Sequence, residues 1–357
     1  VCGVPLAAAI GAFGGDPQKG LKTLEDITPR HVEMAQKLIA NNAVDIAVEE
    51  TPDFIHLDLT LSAGENCCRV VVKGTHTNVV ELYINGQPQP LSEKQNTHTQ
   101  RETLPTFSLQ QAYDFINRVD FNDIRFILDA ARLNSALAAE GKTKKYGLNI
   151  NGTFSDAVKN GLMSNDLLSK VIINTVAASD ARMGGAPVVA MSNFGSGNQG
   201  ITATMPVVVV AEHLGVDEET LARALSLSHL TAISIHSRYT RLSALCAAST
   251  AAMGAAAGMA WLFTRDINTI NTAIINMVSD ITGMICDGAS NSCAMKVSSV
   301  VSSAFKAVLM AMQNSCAGAN DGIVCADVEQ TINNLCRLVI KPMTLTDKEI
   351  ISIMVAK

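Results

Sequence analysis

Residues 192–200 read Ser192-Asn193-Phe194-Gly195-Ser196-Gly197-Asn198-Gln199-Gly200. Gly195, Gly197 and Gly200 satisfy G-x-G-x-x-G, and the meaning of that match decides the fold. A dinucleotide-binding loop needs a strand before it, a helix after it and an acidic residue about 20 positions on. Val188-Val189-Ala190-Met191 offers a short strand, and Glu212 or Asp217 the acid. The flanking sequence is helical, however, and no series of parallel strands follows. Two alternatives stay open. Glycine, serine and asparagine before a helix present free N–H groups and a positive dipole end to an anion. Or the glycines only let neighbouring backbone pack closely.

Helical periodicity extends on both sides. Phe107-Ser108-Leu109 opens a helix, and residues 121–140 read as another closed by Gly141. Further helical patterns lie near residues 166–181, 207–214, 218–235, 242–263, 268–284, 295–313 and 326–339. Gly215 is a stop signal and Asp217 an N-cap.

Before residue 105 the pattern differs. A helical stretch over residues 18–41 carries a break at Thr28-Pro29. Four short alternating runs follow, at 44–48, 54–59, 68–72 and 79–84, with turn signals at residues 63–66 and at Asn85-Gly86. Residues 87–106 are polar, contain three prolines and read as a linker. The expectation is an α+β protein. A small antiparallel-sheet α/β domain over residues 1–105 precedes a large all-helical domain over residues 106–357.

Composition narrows the function. The 357 residues are 48% hydrophobic, enough for a sizeable core. Lys and Arg number 27 against 33 acidic residues, a net charge of −6 with no basic stripe, so nucleic-acid binding is excluded as a function class. Residues 242–264 carry no charge over a length that crosses a bilayer, yet are mostly Ala, Ser, Thr and Gly, so a buried helix and no membrane is expected. Low aromatic content, 4%, and small-residue helices hint at a homodimer. Nine cysteines without a secretory signal indicate free thiols or metal ligands in a cytoplasmic protein, not a disulfide scaffold. The chain starts with Val1-Cys2-Gly3-Val4-Pro5, inside an apolar segment, and reads as a truncated or processed fragment.

Cys286 and Cys293 stand seven apart across Asp287-Gly288-Ala289-Ser290-Asn291-Ser292, a polar loop that can bring two thiolates to one metal or cluster. Cys246 joins them if the helices pack together. The remaining cysteines read as small buried hydrophobes. His229 and His236 are two helical turns apart on one face. His76, in Gly74-Thr75-His76-Thr77-Asn78 between two strands, is a candidate substrate contact.

Three stretches carry a family resemblance: Ser179-Asp180-Ala181-Arg182-Met183-Gly184-Gly185, the run from Gly195 to Pro206, and residues 286–296. They resemble the bacterial L-cysteine desulfidase family, long catalogued as an uncharacterised protein family. That family is distantly similar to the α-chain of iron–sulfur L-serine dehydratase. The likeness runs from Gly3 over nearly the whole chain. Ser192-Asn193-Phe194-Gly195 is similar to the dehydratase Pro-Thr-x-Gly stretch. A Gly-Cys-Thr-Glu-Pro stretch of the family lies upstream of Val1, so activity is expected to depend on it.

The resemblance implies a serine dehydratase α-chain-like helical domain and a PLP-independent lyase. Its reaction is β-elimination of L-cysteine, or L-serine, to pyruvate and ammonia with release of sulfide or water. A [4Fe-4S] cluster would sit on Cys246, Cys286 and Cys293. The carboxylate of a small amino-acid substrate would lie against Arg182 and the segment Ser192, Asn193, Gly195, Ser196, Gly197 and Asn198. Thr77 and Asn78 would contact substrate beside His76, the candidate base. The competing expectation is a non-catalytic protein that binds a cluster or zinc for structure or redox sensing.

Overall fold

The computed structural model describes residues 3–49, 51, 53, 55–91, 106–239 and 242–356. The chain is α+β, with a small antiparallel sheet followed by a large helical region. It forms two compact units, residues 1–103 with 354–357 and residues 104–353.

In the first unit, helices α1 (Val4–Gly14) and α2 (Pro29–Ala40) pack through Ala9, Ile10 and Ala35. Thr28 caps α2 in a capping box with His31, so the Thr28-Pro29 break is a helix start. The sheet runs β1 (His56–Ala63), β2 (Asn66–Lys73), β3 (Val79–Ile84), β4 (Gln87–Pro88), each antiparallel to the next. Asn85 and Gly86 both take positive φ, 49° and 77°, as the tight β3–β4 turn requires. The register places Leu57, Leu59, Leu61, Val70, Val72, Leu82 and Ile84 on one face. Arg69 bridges Asp58 and Glu81 on the other. Residues 44–48, expected as a strand, are irregular, and Ile46 and Val48 are exposed. No strand pairs with them among the described residues, and an alternating pattern without a partner does not make a strand.

The second unit holds α3 (Leu109–Arg118), α4 (Phe121–Ile124), α5 (Leu128–Thr143), α6 (Ile150–Lys159), α7 (Leu167–Met183), α8 (Gly197–Leu214), α9 (Glu218–His236), α10 (Ala247–Thr264), α11 (Ile267–Ile281), α12 (Cys293–Met312), α13 (Val328–Ile340) and all but the last two residues of α14 (Met343–Val355). Its core centres on α10, whose residues from Ala248 to Leu262 are all buried. Small residues allow that. A Cβ on Gly254 would stand 2.3 Å from Ser228 O, and one on Gly258 2.9 Å from Ala224 O, so α9 presses backbone-close along α10. Among the described residues only α12 is long and apolar enough to cross a membrane by length and composition, and half of it is buried.

Helix boundaries differ most from expectation at three places, and the helix expected from residue 242 begins only at Ala247. α5 runs past Gly141 to Thr143; Gly141 is buried inside it, where a Cβ would meet Ala177 O of α7 at 2.0 Å. That glycine serves helix packing, not termination. α8 starts at Gly197, ten residues before the apolar run at Val207, because Ser196 caps it. Its first turn is buried under polar side chains, which hides it from hydrophobic periodicity.

Replacing Gly254 with Ala should cost about 1–3 kcal/mol in urea unfolding, the usual cost of overpacking. Gly11→Ala, where no heavy atom lies within 4 Å, should be neutral or stabilising by up to about 1 kcal/mol.

Candidate functional site

The cysteine segments meet through one isolated antiparallel bridge, Leu245 opposite Ile285. Cys246 N–H donates to Met284 O at 2.9 Å, and Cys286 N–H donates to Ala244 O at 2.7 Å. Cys246 and Cys286 are therefore diagonal neighbours on one face of the ribbon. In antiparallel pairs such diagonals lie roughly 7–8 Å apart, beyond comfortable disulfide reach. All eight cysteines among the described residues are free thiols.

The chain returns through Gly288, at φ 100°, to Cys293, the first residue of α12. The Cys293 sulfur accepts from Ser290 N–H at 3.5 Å. Cys246 is the N-cap of α10, so two of the three thiols sit at helix N-termini. Burial pushes the Cys246 thiol up to about 11; the Ala248 amide opposes this, and the neighbouring Cys286 sulfur adds to it. Lys296 ion-pairs with Asp287 beside these sulfurs. Burial alone would lower the Lys296 pKa, but Asp287, with smaller contributions from the Cys246 and Cys286 sulfurs, outweighs it and raises the pKa. Among the described residues no three His, Cys, Asp or Glu side chains converge as ligands of a single metal ion.

The second half of the site is the segment before α8. Phe194 and Gly195 take φ 48° and 84°. Asn193 and Ser196 exchange both backbone hydrogen bonds, 3.1 and 2.9 Å, closing a two-residue turn that needs positive φ at both central positions. Ser196 Oγ accepts from Gln199 N–H at 3.3 Å. The amides of Gly197 and Asn198 have no hydrogen-bond partner among the described residues. Each glycine of the G-x-G-x-x-G match has its own reason. Gly195 makes the turn. A Cβ on Gly200 would stand 1.9 Å from Met191 O, and one on Gly197 would stand 2.1 Å from Arg182 Nε. Residues 188–191 form no strand, which removes the dinucleotide alternative.

Arg182 thus lies directly against the start of α8. Burial lowers its pKa, and the nearby Cys293 sulfur opposes that. Among the described residues no carboxylate pairs with Arg182; its Nη1 touches only Met183 Sδ, at 3.0 Å. A largely buried guanidinium without a counter-anion is costly, and an arriving anion relieves that cost.

Beneath the turn runs a dry polar chain. His236 Nδ1 lies 2.7 Å from Gln199 Oε1. Gln199 Nε2 donates to Asn193 Oδ1 at 2.8 Å. Asn193 Nδ2 reaches His229 Nδ1 at 2.9 Å, and His229 Nε2 reaches Thr204 Oγ1 at 3.0 Å. Asn134 joins Thr204 to Met191. Phe194 stacks on His236, and His236 on Tyr239, with centroids 4.4 and 4.6 Å apart.

The sequence-predicted residues divide accordingly. Arg182, Gly195, Ser196, Gly197, Asn198, Cys246, Cys286 and Cys293 belong to one region of the second unit. Ser192 is exposed at its edge. Asn193 is buried, and its amide is consumed by His229 and Gln199, so it holds the turn rather than offering a contact. Asn198 Oδ1 accepts from Ser179 Oγ at 3.3 Å. His76, Thr77 and Asn78 lie in the β2–β3 turn of the first unit, where Asn78 Nδ2 closes the turn on Lys73 O at 2.9 Å and His76 is exposed. Sequence reasoning missed Asn134, Gln199 and Thr204. The one available signal was a glutamine inside an otherwise small-residue helix start.

The serine dehydratase alpha chain family model matches residues 18–352. A UPF0597 protein of Klebsiella pneumoniae subsp. pneumoniae is 99% identical over 357 residues, covering all of this chain and 84% of the relative. The UPF0597 protein YhaM of Salmonella typhimurium is 50% identical over 361 residues, covering 99% of this chain and 83% of the relative. YhaM of Salmonella typhi gives the same values.

Burial lowers His229 from 6.5 to about 4. The unfolded chain therefore binds this proton first as pH falls. The associated stability is complete above pH 6.5 and is lost as pH falls toward 4. His229→Asn should flatten that part of the denaturation profile by on the order of 3 kcal/mol. An unchanged pH slope in the variant would contradict the burial.

Proposed function

The chain belongs to the serine dehydratase alpha chain family, and on that premise we propose that it is a PLP-independent iron–sulfur lyase acting on small β-substituted α-amino acids, L-cysteine or L-serine. The observation that carries this reading is Arg182, a half-buried cation with no carboxylate partner among the described residues, set against the unpaired first amides of α8.

The substrate carboxylate pairs with Arg182 and accepts from the Gly197 and Asn198 amides, an arrangement that favours anions at a helix start. The Phe194–Gly195 turn fixes those donors before substrate arrives, so little ordering cost remains at binding. Cys246, Cys286 and Cys293 would hold the cluster. Thiolates spread along a diagonal suit separate irons of a cluster better than the four close ligands of one zinc, at about 2.3 Å each. When bound, a cubane with three protein ligands supplies an open iron that acts as Lewis acid toward the departing thiol or hydroxyl. Elimination also requires a base for the α-proton. Loss of the α-proton and the β-substituent leaves an enamine, which water converts to pyruvate and ammonia. The reduced thiols suit a cytoplasmic homodimer that engages neither nucleic acid nor membrane.

Anaerobic reconstitution with iron and sulfide should give about four of each per chain. Cys286→Ala should lose most of both; full iron in that variant would sink the ligand assignment. Gly197→Ala, by displacing Arg182, should keep the iron but raise KM for the amino acid about tenfold or more, near 1.4 kcal/mol. Pyruvate release from L-cysteine and L-serine, compared side by side, identifies the leaving group.

A further inference from the structure

Two backbone contacts favour one arrangement of protons in the polar chain beneath the α8 turn. Both are to carbonyls, which can only accept. At one end Thr204 Oγ1 donates to Gly200 O at 2.7 Å, so its lone pairs receive Asn134 Nδ2 at 3.2 Å and His229 Nε2 at 3.0 Å. The proton of His229 therefore sits on Nε2, and Nδ1 is a bare acceptor. In the middle, Asn193 Nδ2 faces both that Nδ1, at 2.9 Å, and the carbonyl of His229 itself, at 3.3 Å. A reversed amide would set Asn193 Oδ1 against two acceptors. With Nδ2 committed, Asn193 Oδ1 accepts from Gln199 Nε2, and Gln199 Oε1 accepts from His236 Nδ1.

Asn193 and Gln199 bracket the turn and the first residues of α8, the region that carries the open amides and the glycine under Arg182. We propose that His229, as its Nε2–H tautomer, is a positioning residue for the carboxylate pocket: its bare Nδ1 and its carbonyl orient Asn193, and Asn193 with Gln199 holds the α8 start in place against Arg182. The identity of the carboxylate rests on the lyase reading above; the loop role does not. His229 itself is buried and touches no substrate. Burial keeps its ring neutral at physiological pH, consistent with an acceptor role at Nδ1.

Two conservative variants separate this role from mere space filling. In His229→Asn the amide oxygen stands where Nδ1 was and can still receive Asn193. In His229→Gln the amide nitrogen reaches toward Thr204, and Asn193 loses its side-chain acceptor and keeps only the longer bond to the backbone carbonyl of residue 229. Amide hydrogen exchange of a peptide spanning residues 193–199 should stay within about threefold of wild type in His229→Asn and rise about tenfold or more in His229→Gln. The Kd for pyruvate, used as the carboxylate probe, should follow the same order. Equal effects of the two variants, or the reverse order, would overturn the proposal. A nitrogen-resolved NMR spectrum of the wild-type ring is an independent arm: it should show protonated Nε2 and bare Nδ1 at neutral pH, and the opposite tautomer refutes the assignment even if neither variant folds. A wild-type chain that binds neither pyruvate nor L-serine, with the exchange order intact, would count against the lyase reading and leave the loop role standing.

Discussion

Backbone-close packing along α10 is the constraint on which the rest of the second unit depends. A helix of Ala, Gly, Ser and Met has no bulky side chain to hold its neighbours away, so α9 lies with its carbonyls against Gly254 and Gly258. Such contacts gain dispersion energy from many atoms at short range and tolerate no added methyl group. They also set where α10 begins. Cys246 is its N-cap, and the bridge from Leu245 to Ile285 carries Cys286 to the same place. The thiol region is thus positioned by the core, not by its own loop.

The same tight core encloses polar groups that water cannot reach. His229, Asn193, Gln199, Thr204 and Asn134 are all buried, and each finds its partners within the chain. A half-satisfied network here would cost more than an apolar core of the same shape. Full satisfaction makes it stiff and selects one conformation for the turn above it. Arg182 gives the site its character: it is half-buried, and no carboxylate among the described residues pairs with it. Stability is spent where an anion is to be received, in keeping with the general tendency of perturbed groups to cluster at functional sites.

Much of this was legible in the chain. The change from period-2 to helical periodicity near residue 105 marked the α+β order, because burial on one face leaves a period in the sequence. The N-cap at Asp217 and the turn at Asn85-Gly86 were local and read correctly, whereas Thr28-Pro29, read as a break, is a capped helix start. The run at residues 44–48 misled, since alternation records an amphipathic strip but not whether another strand lies beside it. Gly141 misled for a related reason: a glycine that ends a helix and one that admits a neighbouring helix look alike in one dimension. The start of α8 was missed because its buried face is polar, and hydrophobic patterning is blind to amides that are satisfied inside.

By itself, then, the sequence determined what depends on neighbours along the chain: element types, caps, turns, the small-residue helices and the supply of thiols. The tertiary structure alone decided which distant residues meet. Cys246 and Cys286 come together through one bridge, Arg182 rests on Gly197, and His229 reads the amide of Asn193 across two helices. No local rule encodes those pairings. They follow from how far small residues let helices approach, and from the requirement that every buried donor and acceptor find its partner in the space that remains.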